Sequence, residues 1–357
     1  MYKNACFLFY LLGTLISVEV NAQNIRDRYY FDKLPIDILN IQQSNNVNRQ
    51  TLPFDSIIIY DARADTSFLG FVNERPNGVF KISLETSLNS FFKDYIINNY
   101  TLEERKDSCH SLFVLIKKMM LTEFIPNGDN LDPSQISWNA GVVFEAEFFS
   151  GVNSSYKTLY RIDTLIAIDD KLHKNEINIL QATVQFGLER LANKNLPEIK
   201  TGKKNFTIEN IVSYAGTLYN YPITQDTLLK KGVYMSFEEF KNNAPSFSEY
   251  EIKKDSKTDA LYCNENGEMT LVRNCWGYCD GKNPYIKCKE NYFALFQYGK
   301  GFYFKGFKEL KKHRYIKPAY LLTLGLGATL LSKHGKEVYY KGDLTALQLD
   351  IESGEAY

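Results

Sequence analysis

Along this chain the apolar positions alternate between a period near two and a period near 3.6, and each stretch predicts its own kind of element. Ile57-Ile58-Ile59-Tyr60 and Phe68-Leu69-Gly70-Phe71-Val72 flank the charged turn Asp61-Ala62-Arg63-Ala64-Asp65, and Pro76-Asn77-Gly78 marks another hairpin turn. Short β-branched and aromatic runs bounded by turn formers predict strands. Leu88, Phe91, Phe92, Tyr95 and Ile96 then recur at helical spacing behind Thr86 or Ser87, either of which serves as N-cap. A helix over 88–98 is expected, with one apolar face. Leu112 to Leu121, Val142 to Phe149 and Tyr156 to Ile168 read as three further strands. Ile177, Leu180, Val184, Leu188 and Leu191 step by three or four residues and predict the clearest amphipathic helix, over about 174–192. Strand pair, helix, three strands and helix in that order describe an α+β domain over 23–200, a sheet with helices packed on one face.

The pattern then shortens and changes. Ile208, Ile211, Val212, Ala215 and Leu218 predict a short helix, and Ser236-Phe237-Glu238-Glu239 has the form of a capping box opening another. Met235 and Phe240 stand where a hydrophobic staple would close, and Pro245 ends the helical turn. Residues 201–254 thus read as a helical connector. From residue 255 the period is two, and Asn266-Gly267, Asp280-Gly281 and Gly299-Lys300-Gly301 separate short apolar runs. Residues 255–357 are therefore expected to form an antiparallel β-meander, a small sandwich or open barrel, with Leu344 to Ile351 as its last strand. No internal repeat points to a propeller or solenoid.

The first 22 residues carry a different kind of information. Lys3 gives a positive start, Cys6 to Val18 is an apolar run, and Val20-Asn21-Ala22 places small residues where a signal peptidase cuts. Residues 1–22 are expected to be a signal peptide, with the mature chain beginning near Gln23. The address is then periplasmic, outer-membrane-associated or secreted. Lys plus Arg and Asp plus Glu are 42 each in the 357 residues. A neutral chain has no basic excess to hold nucleic acid, and none is expected as partner.

Candidate chemistry is sparse. Asp61, Arg63 and Asp65 alternate, so a continuing strand would put them on one side as an acid/base or cation site; a polar strand end closing into a turn explains them equally. Cys109-His110 is unsuited to nucleophile and base, because neighbours on a strand point to opposite faces. His173, His313 and His334 lack metal-ligand spacing, and Asn127 to Asp132 has calcium-loop composition without the calcium-loop pattern. Cys263, Cys275, Cys279 and Cys288 lack the paired knuckles of a zinc ribbon. If Asp280-Gly281 is a two-residue turn, Cys275 and Cys288 are diagonal neighbours, a candidate disulfide that needs a bulge or strong twist. Small buried thiols are the other reading. No metal or cofactor is expected, since neither a nucleophile elbow nor a phosphate-cradling glycine loop occurs. Pro318 to Leu331 is apolar but, as a helix, would span only about 21 Å against a hydrocarbon core of about 30 Å. No lasting transmembrane helix is expected.

The segments from Phe54-Asp55-Ser56-Ile57 to Phe71, from Lys231-Gly232-Val233-Tyr234 to Pro245, and Cys275-Trp276-Gly277-Tyr278-Cys279-Asp280-Gly281-Lys282 resemble uncharacterised exported proteins of the Bacteroidota. The resemblance implies export and brings no activity with it. Asp55-Ser56-Ile57, Asp163-Thr164-Leu165 and Asp226-Thr227-Leu228 are similar to short O-glycosylation sites of that phylum. Three readings follow: a non-enzymatic envelope protein that binds or assembles with an envelope protein or glycan, an envelope hydrolase built on distant residues such as Asp61 and Asp65, and a glycan- or peptide-binding module using Trp276, Tyr278, Tyr285 and Tyr292. The first is expected; the last needs those rings exposed in a row.

Overall fold

The computed structural model describes residues 30–39, 49–74, 78–103, 110–124, 139–168, 172, 175–195, 199–226, 228–254, 259–307, 309–310, 315–316, 338–339 and 344–357. The fold is mixed α+β. The chain divides into two units, one formed by Ile36–Asn220 with Glu309–Tyr340 and Tyr357, the other by Tyr221–Lys308 and Lys341–Ala356 with Met1–Pro35.

The first unit is built on a nine-stranded sheet. Its members in chain order are β1 (Ile36–Leu39), β3 (Ser56–Asp61), β4 (Gly70–Glu74), β5 (Gly78–Leu84), β7 (His110–Phe124), β8 (Asn139–Val152), β9 (Ser155–Ala167), β10 (Asn205–Phe206) and β21 (Tyr315–Ile316). The order across it is β1-β5-β4-β7-β8-β9-β10, with β3 also on β7 and β21 also on β9. Two small pairs stand apart: β2 (Gln50–Leu52) with β6 (Tyr100–Leu102), and β20 (Glu309–Leu310) with β22 (Val338–Tyr339). Strands β7, β8 and β9 are an antiparallel meander of long strands in continuous register apart from two bulges.

Both faces of that meander are covered. On one, Leu112, Val114, Ile116, Phe144, Phe148 and Ile166 pack against α1 (Leu88–Asn99) and α2 (Glu176–Leu188), which contribute Phe91, Phe92, Ile96, Leu180 and Val184. This is the helix-on-sheet arrangement that the apolar stripes predict. The N-cap of α1 is Ser87, whose Oγ accepts from Ser90 N at 3.1 Å. On the other face Phe113, Leu115, Phe149 and Tyr156 meet Ile211 and Ala215 of α3 (Ile208–Thr217). The first helix of the expected connector therefore belongs to the sheet, because its short apolar side matches the second face of β7 and β8.

One pairing differs from the sequence expectation. The turn after β3 does not close a hairpin with β4. Instead β3 lies parallel to β7, Ser56–Asp61 against Ser111–Ile116, and β4 touches β7 through Gly70 and Leu121. The intervening loop is tied to β7 at both ends, by Ala62 N to Ile116 O at 2.8 Å and Leu121 N to Leu69 O at 2.6 Å. Gly70 is needed there: at φ +143°, a Cβ would stand 2.2 Å from Leu121 O.

The second unit is antiparallel, in three small sheets. They are β11 (Gly232–Tyr234), β15 (Gly277–Cys279), β16 (Pro284–Cys288) and β17 (Asn291–Ala294); β12 (Tyr250–Lys254), β13 (Asp259–Glu265) and β14 (Glu268–Val272); and β18 (Phe296–Tyr298), β19 (Gly301–Gly306) and β23 (Thr345–Leu349). Asn266 and Gly267, at φ 57° and 92°, form the two-residue turn that their sequence predicts. Asp280-Gly281 does not. Cys279 pairs with Pro284, leaving a four-residue loop whose Asp280 Oδ1 accepts from Lys282 N and Asn283 N, each at 2.7 Å. The carboxylate organises a wider turn and moves the register.

Two helical pieces complete this unit, α4 (Pro222–Gln225) and α5 (Phe237–Lys241). Ser236 Oγ caps α5 by accepting from Glu239 N at 3.2 Å. The reciprocal half of the capping box is displaced by one residue, because Glu239 Oε2 takes the N–H of Met235, at 2.8 Å, and not that of Ser236. Met235 itself is exposed, while Phe240 is the buried centre of a ring cluster with Tyr234, Trp276 and Phe302.

Candidate functional site

The residues Asp61, Arg63 and Asp65 fall where β3 ends, and the strand does not continue through them. Arg63 curls back onto Asp61 in a bidentate pair, Nε to Oδ1 and Nη2 to Oδ2 at 2.9 Å each, and its Nη1 donates to Phe68 O at 3.0 Å. Bidentate pairing of this kind fixes geometry as well as charge. Asp65 turns elsewhere and accepts from Ser67 N at 2.8 Å and Ser67 Oγ at 2.6 Å through Oδ1. The loop is thus closed by its own side chains. Asp61 and Arg63, but not Asp65, border a cleft of about 320 Å³ whose other walls include Thr66, Phe68, Leu69, Ser83, Thr86, Ser87, Leu88 and Asn89. It lies beyond the C-terminal ends of β3 and β5, at the start of α1. Asn89 brings a buried Oδ1 that has no hydrogen-bond partner.

A second cluster, invisible in the sequence reading, occupies the α3 face of the sheet. Lys117 is the extra residue of a β-bulge in β7, and its side chain is 1% exposed. Its Nζ meets Glu147 Oε1 at 2.5 Å and Glu145 Oε1 at 3.4 Å. Lys118 Nζ reaches Glu145 Oε2 at 3.3 Å, and Arg161 Nη2 reaches Glu145 Oε1 at 2.7 Å. Tyr214 of α3 lies beneath the Lys117 amine, 5.2 Å from ring centre to Nζ, and Tyr219 donates its hydroxyl to Lys117 O at 2.7 Å. Three cations and two carboxylates meet here, with Lys117 and Glu145 buried and Arg161 half-exposed.

Burial, the largest single influence on Lys117, lowers its pKa. The hydrogen bonds to Glu147 and Tyr214 and the charges of both glutamates outweigh it, so the amine titrates above its ordinary value. For Glu145 burial raises the pKa, but Lys118, Lys117 and Arg161 together hold the carboxyl below its ordinary value. Both groups are therefore charged at neutral pH. A charged, fully paired lysine is no nucleophile, so the arrangement fits a structural tie between three strands. The signal for it was present as charged interruptions: Lys117-Lys118 inside Leu112 to Leu121, and Glu145 with Glu147 inside Val142 to Phe149.

The C-terminal candidates are packed into the second unit. Tyr278 and Tyr285 stack at 4.4 Å and 8°, Tyr292 meets Tyr278 edge-on at 5.1 Å, and Trp276 stacks on Phe240 at 4.3 Å. These rings are not exposed in a row; Tyr278 and Tyr285 are 8% and 7% exposed and form core with Val233, Leu261 and Cys263. None of the four cysteines is joined in a disulfide. Cys275 Sγ lies 3.1 Å from the Tyr292 hydroxyl and Cys288 Sγ donates to Phe307 O at 3.3 Å, so the two candidate disulfide partners turn to different neighbours. Burial pushes the Cys263 and Cys279 thiols up to about 11, leaving them protonated and unreactive near neutrality.

Among the described residues, no group of three or more His, Cys, Asp or Glu side chains is placed to hold a metal ion. No helix among them is long and apolar enough to cross a membrane. Residues 1–22, Cys109, Asn127 to Asp132, His173, His313, Pro318 to Leu331 and His334 lie outside the described residues.

No protein-family model matches the chain. No curated protein matches it. Among solved structures, a crystal structure of a DUF330 protein from Xanthomonas campestris is similar over 43% of this chain and 88% of its own, at 9% identity and a TM-score of 0.26. A likeness so slight carries neither fold nor function.

Proposed function

We propose that the protein is an exported cell-envelope protein that acts by binding or assembly and performs no covalent chemistry. Export rests on the sequence, where Lys3, the Cys6 to Val18 run and Val20-Asn21-Ala22 have the three parts of a signal peptide. The observation that carries the non-catalytic reading is the bidentate Asp61–Arg63 pair. A carboxylate with both oxygens committed to an arginine is poorly placed to take a proton from substrate, and Asp65 lies outside the cleft.

Expression with its own leader in a Gram-negative host, followed by fractionation and N-terminal sequencing, tests the address. The expected product starts near Gln23 and is recovered outside the cytoplasm. Cytoplasmic protein with residues 1–22 intact would overturn the export reading. Hydrolysis of ester, amide or glycoside substrates that disappears in Asp61→Asn would overturn the non-catalytic one.

A further inference from the structure

We propose that the cleft between the β3–β4 loop and the start of α1 binds a pyranose, free or at the end of a glycan. The inference rests on the binding role above and gives that role a place and a ligand class. The cavity, about 320 Å³, lies at the lower end of the range of about 300–1,000 Å³ for small-molecule sites. It suits a ligand of roughly one ring.

The lining decides the chemistry. Asp61 and Arg63 cancel each other's charge and occupy each other's hydrogen-bonding atoms, leaving the wall neutral. What remains is a set of uncharged polar groups: the hydroxyls of Thr66, Ser83, Thr86 and Ser87, and the amide of Asn89. Hydroxyls and amides both donate and accept, which is what a ring of vicinal hydroxyls requires of its partners. Phe68, Leu69 and Leu88 add apolar surface for the C–H face of such a ring.

Two details argue against a simple anion site at the start of α1. Ser87 Oγ already accepts the N–H of Ser90, and the cation at the cleft is neutralised by Asp61. Asn89 argues for a ligand that donates. Its Oδ1 is a buried acceptor without a partner, and such groups in native proteins call for an explanation. A ligand O–H in the cleft that Asn89 borders is the donor assigned to it.

Saturation-transfer NMR of the purified full chain with glucose, N-acetylglucosamine, their methyl glycosides and cellobiose tests this, with inorganic phosphate as the anionic control. Saturable binding of at least one sugar is expected, weakened at least tenfold in both Asn89→Leu and Thr86→Trp at unchanged melting temperature. Equal binding of the methyl glycoside identifies a glycan end, and loss of binding on methylation identifies the free sugar. The proposal fails if no sugar in the panel binds, if neither variant weakens binding, or if phosphate competes with the sugar. Fractionation is read separately, so an exported chain that binds no sugar overturns this inference while leaving the export reading in place.

Discussion

The two charged clusters of the sheet unit differ in how they are assembled. Asp61 and Arg63 are two residues apart and close their own loop at the end of β3, whereas Lys117, Glu145, Glu147 and Arg161 come from three strands and meet only through register. The first pair touches a cleft, and the second is capped by Tyr214 and Tyr219. A local pair survives wherever its turn forms. The distributed one exists only if β7 and β8 are paired with the bulge at Lys117, so it specifies that alignment as well as being held by it. Buried ion pairs contribute little net stability over an apolar replacement, yet breaking one leaves an uncompensated charge.

The largest expected effect follows from that asymmetry. Lys117→Ala should cost up to about 3–5 kcal/mol, since Glu147 loses its buried partner and keeps only the half-exposed Arg161 at 3.5 Å, while Glu145 keeps Lys118 and Arg161. Urea denaturation reads this directly. The double variant Lys117→Met with Glu147→Leu should lose less than Lys117→Ala alone; an equal or larger loss would mean that packing, not charge, is what Lys117 supplies.

The same network predicts the response to acid. Glu145 is held below its ordinary value, so its contribution to stability is complete above the unfolded-state pKa of about 4.5 and is lost as pH falls through the lower folded-state value. Lys117, held above its ordinary value of 10.5, keeps its contribution below that pH and loses it only as pH rises through the higher folded-state value. The urea midpoint should therefore be insensitive to these two groups between those limits and fall below about pH 4.5. Glu145→Gln should flatten the acid limb. An unchanged acid limb would place the acid-labile charge elsewhere.

Arg63→Ala should cost less than Lys117→Ala, about 1–3 kcal/mol, the penalty for leaving a partly buried carboxylate without its donor. Hydrogen exchange should quicken in the loop after β3 and leave the centre of β7 and β8 protected. Exchange rising throughout the meander would show that the two clusters are coupled.

The smallest effect lies outside both clusters. Ser236→Ala should cost about 1 kcal/mol by removing the cap on Glu239 N. Glu239→Ala should cost less, since its bond goes to Met235 N and not into the cap. Because the two bonds involve different backbone donors, the double variant should come close to the sum of the singles.

What could be read without a structure was whatever neighbouring residues decide among themselves. The α+β class, an N-cap at Thr86 or Ser87, the apolar stripes of α1 and α2 and the Asn266-Gly267 turn all depend on side chains within a few positions of one another. Where a nearby polar group offered a second partner, the reading slipped: Asp280 widened its turn, and Glu239 reached one residue too far. Asp61 and Arg63 were legible as a candidate cluster, but strand alternation assumed that β3 continues, and the bidentate pair ends it.

Tertiary structure alone decided the rest. That β3 runs beside β7 and not beside β4 depends on a contact more than fifty residues away, and Gly70 declares its purpose only once Leu121 O stands against it. The charges at 117, 145, 147 and 161 look in sequence like interruptions of apolar strands. They become one network because strand pairing brings distant positions within a few ångströms, and one chain read alone carries no record of which register its strands adopt.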